Sequence, residues 1–322
     1  MVQIGKTELG NTGHQISNIG LGTMYFGSKV DEKTSFRILD FYLGKGGSFC
    51  DSANKYASWV QGFQGGESET LIGKWMKLKG IRDEMFVSSK VGFPYGDIPR
   101  SLKKEIIISE CDRSLKRLQT DHIDLYFAHA FDTSTSPEET MEAFYLLKKS
   151  GKIRYAGASN FYSWQLCEAN AIAHQQGWEG FCCIQQRHTY LEPVLHANFG
   201  TQLLLTPELR EYCVAENMAI MAYSPLLGGF YARQDRTLPI QYQSAVNDFH
   251  LSKLDEVANE LNVSPNAVVL AWMVQNKPSV IPLVTGSNLV QIEENMAAVS
   301  IVLSPEQIEK LNQDNVLPDK YT

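Results

Sequence analysis

Phe49-Cys50-Asp51-Ser52-Ala53-Asn54-Lys55-Tyr56 passes from an apolar pair through a carboxylate to a phenol. It reads as the end of a buried strand that delivers Asp51 and runs into a loop delivering Tyr56. Two later segments end in a related way. Phe86-Val87-Ser88-Ser89 leads to Lys90, and Ile123-Asp124-Leu125-Tyr126-Phe127-Ala128 leads to His129. A carboxylate, a phenol, an ammonium and an imidazole thus follow strand ends. In a barrel of parallel strands those ends share one face, where such folds carry out chemistry. Taken singly, each residue has a plainer reading. An Asp after a strand forms turns, a lysine there is solvated, and a histidine beside an apolar run is a satisfied polar residue. Recurrence at equivalent places in successive units favours a site.

Working outward, short apolar runs alternate with helical patterns. Residues 7–9 and 15–17 flank Gly10-Asn11-Thr12-Gly13, the signature of a hairpin. Strands are expected at Ile19–Thr23, Ser48–Cys50, Met85–Ser89, Ile123–Phe127, Ile153–Gly157, Phe181–Ile184, Ala219–Ala222 and Val280-Ile281. Between them, helices are expected from Asp31 to about Lys45, over Glu67–Lys79 and Leu102–Leu118, from Ser136 to near Gly151, over Ser163–Gln176 and from Thr206. Ser136-Pro137-Glu138-Glu139 and Ser304-Pro305-Glu306-Gln307 are capping boxes with proline in the first turn. A long loop is expected over about 224–248, then helices over about 250–261, 266–276 and Val290–Ala298, and a tail helix after Ser304. The pattern predicts an α/β chain: a (β/α)8 TIM barrel with an N-terminal β-hairpin and extra C-terminal helices, one domain over residues 1–322. An open doubly wound sheet is the alternative, and no G-x-G-x-x-G follows the first strand to support it.

Composition narrows the function classes. With 322 residues and 43% hydrophobic content, the chain can bury a large core. A net charge of −7 with no basic stripe argues against nucleic acid. No apolar stretch approaches the ~20 residues of a membrane helix, and no charged-then-apolar leader opens the chain. The six cysteines form no C-x-x-C pair and sit in apolar segments, with Cys182 and Cys183 expected on opposite faces of a strand. Scattered cysteines suit a reducing cytoplasm, and no metal site is expected.

At this point the chain resembles the aldo-keto reductase family almost end to end. The resemblance is carried by Gly22-Thr23-Met24, Asp51 to Tyr56, Lys90, His129, Gly151-Lys152-Ile153-Arg154 with Ser159-Asn160, Tyr223-Ser224-Pro225-Leu226, and Gln291 to Asn295. It implies a TIM-type barrel that reversibly reduces an aldehyde or ketone with a nicotinamide cofactor, usually NADP(H). Tyr56 would supply the proton, Lys90 would lower the phenol's pKa, Asp51 would hold Lys90, and His129 would orient the substrate oxygen. Ser159, Asn160 and Gln185 look like the carboxamide contacts, and Tyr223 like the ring stacked on the nicotinamide. Gly22, Thr23, Met24 and Asp51 complete that end. Ser224, Leu226 and Gly228 look like a pyrophosphate loop. Thr285, Gly286, Ser287, Gln291, Glu294 and Asn295 look like the adenosine end.

Two departures stand out. Where many relatives have an arginine near the adenosine 2′-phosphate, this chain has Ser287, and Gln291 replaces another frequent arginine. That weakens the case for NADP and keeps NAD possible. After Gln185, Arg187 and His188 stand where relatives often have Glu and Tyr. Tyr25, Trp59 and Phe93 are the expected substrate contacts, in an aromatic pocket suited to a sugar-like or aryl carbonyl. Phe26, Tyr95, Phe230, Tyr231 and Tyr242 are further candidates, with Gln61, Gln64, Asp97 and Gln241 at its mouth. A cofactor-binding regulatory subunit of the same fold and a hydrolase built on Asp51 and Asp132 are the competing classes. Residue types leave the oligomeric state and the particular substrate open.

Overall fold

The computed structural model describes residues 3–313. The ends of the expected 1–322 span, residues 1–2 and 314–322, lie outside the described residues. Strands β1 (Lys6–Glu8) and β2 (Gln15–Ser17) form the antiparallel hairpin. Gly10, at its turn, has φ 56°, and a Cβ there would lie 2.5 Å from the Cys182 carbonyl, so only glycine fits.

Eight parallel strands close into a barrel. They are β3 (Gly20–Gly22), β4 (Phe49–Asp51), β5 (Phe86–Val91), β6 (Ile123–Ala128), β7 (Ile153–Ser159), β8 (Cys183–Arg187), β9 (Ala219–Tyr223) and β10 (Ile281–Val284). Strand β10 pairs with both β9 and β3, which closes the ring. Outside run α1 (Glu32–Gly44), α2 (Glu67–Lys79), α3 (Lys104–Leu118), α4 (Pro137–Lys149), α5 (Ser163–Gln175) and α6 (Pro207–Ala215). Then come α7 (Ala245–Leu261), α8 (Pro265–Gln275), α9 (Leu289–Met296) and α10 (Pro305–Asn312). The Ser304 capping box forms in full with Gln307, whereas at Ser136 only the hydroxyl accepts, from the Glu139 amide, because Glu139 Oε1 accepts from the Lys104 amide at 3.0 Å instead.

Some boundaries differ from expectation, for local reasons. Helix α3 begins at Lys104, because the Leu102 amide donates to Asp132 Oδ2 at 2.9 Å instead of entering the helix. Helix α7 begins at Ala245, where Ser244 caps the Asn247 amide, so the loop after β9 is shorter than expected. Cys182 precedes β8 rather than lying inside it, and packs in the same apolar cluster as Cys183. Cys167 is exposed.

The interior follows the two-residue period of strands. Leu9 and Ile16 of the hairpin segment pack with Phe49, Phe86, Leu125, Phe127, Met221 and Leu283 to fill the floor. Gly157 makes room there: a Cβ would come within 2.6 Å of the Phe127 ring. Two or four residues further along the same strands come Asp51, Lys90 and Gln185. His129 follows β6 in the same phase. The outer face of the strands and the inner faces of the helices form a second, larger apolar layer. Among the described residues, no helix is long and apolar enough to cross a membrane, and no cluster of His, Cys, Asp and Glu could hold a metal.

Candidate active site

Strands β4, β5 and β6 deliver the charged groups to one end of the barrel. Lys90 is fully buried, and its Nζ donates to Asp51 Oδ2 at 2.7 Å, to the Ser52 carbonyl at 2.7 Å and to the Tyr56 hydroxyl at 2.9 Å. All three ammonium protons are therefore engaged. Asp51 accepts from Ser88 Oγ at 2.7 Å and from Gln185 Nε2 at 3.0 Å, with a longer approach of the Tyr56 hydroxyl at 3.4 Å. A buried ion pair survives only when such bonds replace lost hydration.

Burial pushes the Tyr56 phenol well above its ordinary range, and the Asp51 charge adds to it. Burial pulls Lys90 down, against the opposing pull of Asp51. The Lys90 ammonium lies 2.9 Å from the Tyr56 hydroxyl, where it would favour the phenolate if the proton left. With burial and Asp51 both acting against the phenolate, the phenol keeps its proton at rest. Burial, with Lys90 and Lys55 nearby, drives His129 well below the ordinary histidine value, so the ring is neutral. Its Nδ1 is buried without a hydrogen-bond partner. Its ring lies 6.2 Å from that of Tyr56 and 4.7 Å, edge to face, from Phe93.

Aromatic rings wall this end. Trp59, 46% exposed, stands edge-on to Tyr56 at 6.1 Å and to Tyr25 at 6.4 Å. Tyr25, Trp59 and Phe93 are thus brought beside Tyr56 and His129. Other expected wall residues are anchors instead. Phe26 is fully buried; the Tyr95 hydroxyl donates to Glu110; Tyr231 bonds Thr189, and Tyr242 accepts from Arg187 Nε at 3.1 Å. Arg187 also donates to Gln202 at 2.7 Å, so it pins a loop. Asp132 accepts from the Leu102 amide and from the Ser134 and Thr135 hydroxyls, so its carboxylate is engaged within its own loop and with the segment before α3.

The expected cofactor residues line the rim from β7 round to β3. Ser159 is at the end of β7, and Asn160 follows it with φ 55°. Asn160 Nδ2 donates to the His129 carbonyl at 2.9 Å and to Ser159 Oγ at 3.0 Å; its Oδ1 accepts from the Leu203 amide at 3.0 Å and the Tyr223 hydroxyl at 2.6 Å. The Thr23 hydroxyl is internal as well, donating to the Asp51 carbonyl at 2.9 Å and pairing with Ser68. Half-buried Gly22 and Met24 flank it. Ser224, Leu227, Gly228 and Gly229 have positive φ, and the Leu227 and Gly229 amides donate within the turn, to the Ser224 carbonyl at 3.3 Å and the Leu226 carbonyl at 2.8 Å. Among the described hydrogen bonds, the Leu226 and Gly228 amides donate none. Exposed Thr285, buried Gly286 and exposed Ser287 follow β10, and Asn288 caps α9. Gln291 Oε1 accepts from the Ser287 amide at 2.8 Å and its hydroxyl at 3.1 Å. Glu294 accepts from Asn266 at 3.1 Å, and Asn295 donates to the Thr285 carbonyl at 3.3 Å. Free amides in a positive-φ turn, a half-buried tyrosine and a helix start suit a dinucleotide. Asn160, Gln185 and Gln291 would exchange internal partners to hold one.

Sequence reasoning missed Ser88, the serine on Asp51, although it stands two residues before Lys90 on the same strand face. It also missed Asn54, whose Nδ2 donates to the buried Glu110 at 2.8 Å and so ties the Tyr56 loop to α3. Nothing local marks that pair, which is 56 residues apart.

The chain belongs to the aldo/keto reductase family, whose profile matches residues 18–315. It is an NAD(P)-dependent oxidoreductase of that family. It is 34% identical over 320 residues to the uncharacterized oxidoreductase YrpG of Bacillus subtilis (strain 168), covering 95% of this chain and 94% of that one. It is 30% identical to an aryl-alcohol dehydrogenase [NADP(+)] of Phanerodontia chrysosporium, over 97% of this chain and 81% of the relative. Among solved structures, the thermostable aldo-keto reductase Tm1743 with the inhibitor epalrestat superposes with a TM-score of 0.75 at 26% identity, over 96% of this chain and 98% of that one. The barrel and the family both match the sequence reading.

Proposed function

We propose that this protein reversibly reduces an aryl or other bulky aldehyde or ketone, with Tyr56 as the general acid and NADP(H) as the preferred cofactor. The observation that carries the reading is the Asp51–Lys90–Tyr56 chain, with contacts of 2.7 and 2.9 Å at a fully buried lysine. The cofactor, when bound, supplies a hydride to the carbonyl carbon. Neutral His129 and the phenol of Tyr56 bind and orient the carbonyl oxygen. As charge builds on that oxygen, Tyr56 passes it its proton. Lys90 then stabilises the phenolate left behind, and Asp51 keeps Lys90 charged and in place. The aromatic wall favours an aryl carbonyl, and the similarity to an aryl-alcohol dehydrogenase supports that class. No cation stands within 285–295, which supports a weaker preference for NADP over NAD than an arginine at Ser287 would give.

The test is Lys90→Met with titration of both cofactors by intrinsic fluorescence. Aldehyde reduction should fall at least about a hundredfold, as expected when an acid loses its activating group, while NADPH still binds. Turnover within a few-fold of wild type would remove Lys90 and Tyr56 from the mechanism. A preference for NADPH over NADH as steep as a bidentate arginine–phosphate pair provides would contradict the cofactor reading.

A further inference from the structure

The mouth of the site carries positive charge that the reaction above does not use. Half-buried Lys55 precedes Tyr56, and its Nζ lies 4.6 Å from the Phe93 ring centroid and 5.6 Å from that of Trp59. Arg100 lies against the same Phe93 ring at 5.5 Å, and Lys29 lies over Tyr25 at 5.0 Å. Each wall ring therefore has a cation on it. Among the described residues, none of the three has a carboxylate within salt-bridge distance, although the chain holds 36 acidic residues against 29 basic ones. Nearby carboxylates have other work: Asp31 caps α1, Glu67 holds the Gln64 and Gly65 amides, and Asp132 holds Leu102. Asp97 is exposed in the loop after β5 and bonds none of them. Burial and the charge of Arg100 both disfavour the ammonium of Lys55. An unpaired cation held there against a second cation is suited to meeting an anion that arrives with the ligand.

Resting on the reductase reading, we propose that the substrate is an aromatic carbonyl carrying an anionic group, and that Lys55 is the residue that recognises it. The Phe93 ring touches both the His129 ring, at 4.7 Å, and Lys55 Nζ, at 4.6 Å. A flat substrate ring seated along Phe93 would present its carbonyl toward Tyr56 and His129 and an anion across the ring toward Lys55. Arg100 and Lys29 raise the positive potential around the entrance, which draws an anion toward an otherwise acidic protein.

The holoenzyme with NADPH is assayed on para-formylbenzoate and its methyl ester, a pair differing in one charge. The wild type should favour the carboxylate in kcat/KM by about tenfold, the factor that about 1.4 kcal/mol gives. In about 1 M salt, which screens charges beyond about 3 Å, the ratio should fall in part, because exposed Arg100 and Lys29 are screened more than the half-buried Lys55 contact. Lys55→Met should lower the ratio toward one, and Lys55→Arg should keep most of it. A wild-type ratio near one, or a ratio unmoved by Lys55→Met, overturns the inference. So does a loss of NADPH affinity in Lys55→Met that accounts for the change, since Lys55 would then serve the cofactor. If neither aldehyde turns over, the reductase reading fails separately. Terephthalate titrated against tryptophan fluorescence then decides: saturable quenching that Lys55→Met removes supports the anion site, and its absence overturns it.

Discussion

The two ends of the barrel interior are built by the same strands and behave as opposites. At the floor, Phe49, Phe86 and Phe127 meet Leu9 and Ile16 in a closed apolar cluster. Two residues after Phe49 stands Asp51; four after Phe86 stands Lys90; two after Phe127 stands His129. The upper layer is as inaccessible as the floor at Lys90 and Asp51, yet it is ionic and leaves His129 Nδ1 unpartnered. Apolar contacts at the floor stabilise the fold, whereas the buried charges above are weak evidence of stability and make that layer the candidate for chemistry.

The sharpest way to break this contrast is Tyr56→Phe. The ring and its packing on Trp59 stay, and only the proton donor goes. Carbonyl reduction should fall by about 10²–10⁴-fold, with melting temperature and NADPH binding nearly unchanged. Reduction within a few-fold of wild type would mean the upper layer is structural after all. The reciprocal change is Phe49→Ala at the floor, where Phe49 is fully buried and meets Phe86 edge-on at 5.6 Å. Urea unfolding should show a loss of about 3–5 kcal/mol, with kcat little altered below the unfolding transition. A large fall in kcat without a stability change would join the two layers into one unit.

A milder test uses protons. Burial and the nearby Arg210 charge lower the pKa of His188, half-buried 5.9 Å from the Trp272 ring, to about 3, and burial also pulls His129 down. Above the unfolded value of about 6.5, both rings are neutral in either state and stability is unaffected. As pH falls through 6.5, the unfolded chain takes up protons that the folded protein refuses. Stability should therefore drop, by about 1.4 kcal/mol per pH unit for each ring that resists fully. His188→Phe should flatten part of that acid slope, measured by urea midpoints between pH 7 and 5, without changing the pH profile of kcat. An unaltered slope would mean that His188 is protonated in the folded state.

How much of this was legible in the sequence depends on the distance over which each feature is encoded. The barrel was readable because strand–helix units carry their own local signals, such as the Asp31, Ser136 and Thr206 caps. Asp51, Lys90 and His129 were readable because strand ends fix where side chains emerge. The upward push on the Tyr56 pKa was not, because it depends on how completely the phenol is buried beside Asp51, which is set by three-dimensional packing. Nor was the role of Lys55: a lysine in a loop reads as solvated until Phe93 and Trp59, from two different loops, close around it. Thr23 and Asn160 matched a family pattern, but their hydrogen bonds hold the rim together, a use visible only once Ser68, Leu203 and Tyr223 are in place.

The smallest expected effect lies at Trp59, on the border between scaffold and site. Its indole is nearly half exposed, so its removal should cost the fold little. It stands edge-on to Tyr25 and Tyr56 and beneath Lys55 at 5.6 Å, so it shapes the space in front of the phenol. A ring that flanks a substrate in this geometry contributes about 0.5–1.5 kcal/mol beyond area burial. Trp59→Ala should therefore raise KM for an aryl aldehyde by about three- to tenfold, with kcat less affected and NADPH affinity unchanged. Aliphatic aldehydes, which offer no ring to stack, should show a smaller change. If every KM stays at its wild-type value, Trp59 is a rim anchor and belongs with the floor as scaffold. If NADPH affinity falls in step with KM, the loop after β4 closes over the cofactor, and the aromatic wall must be reassigned.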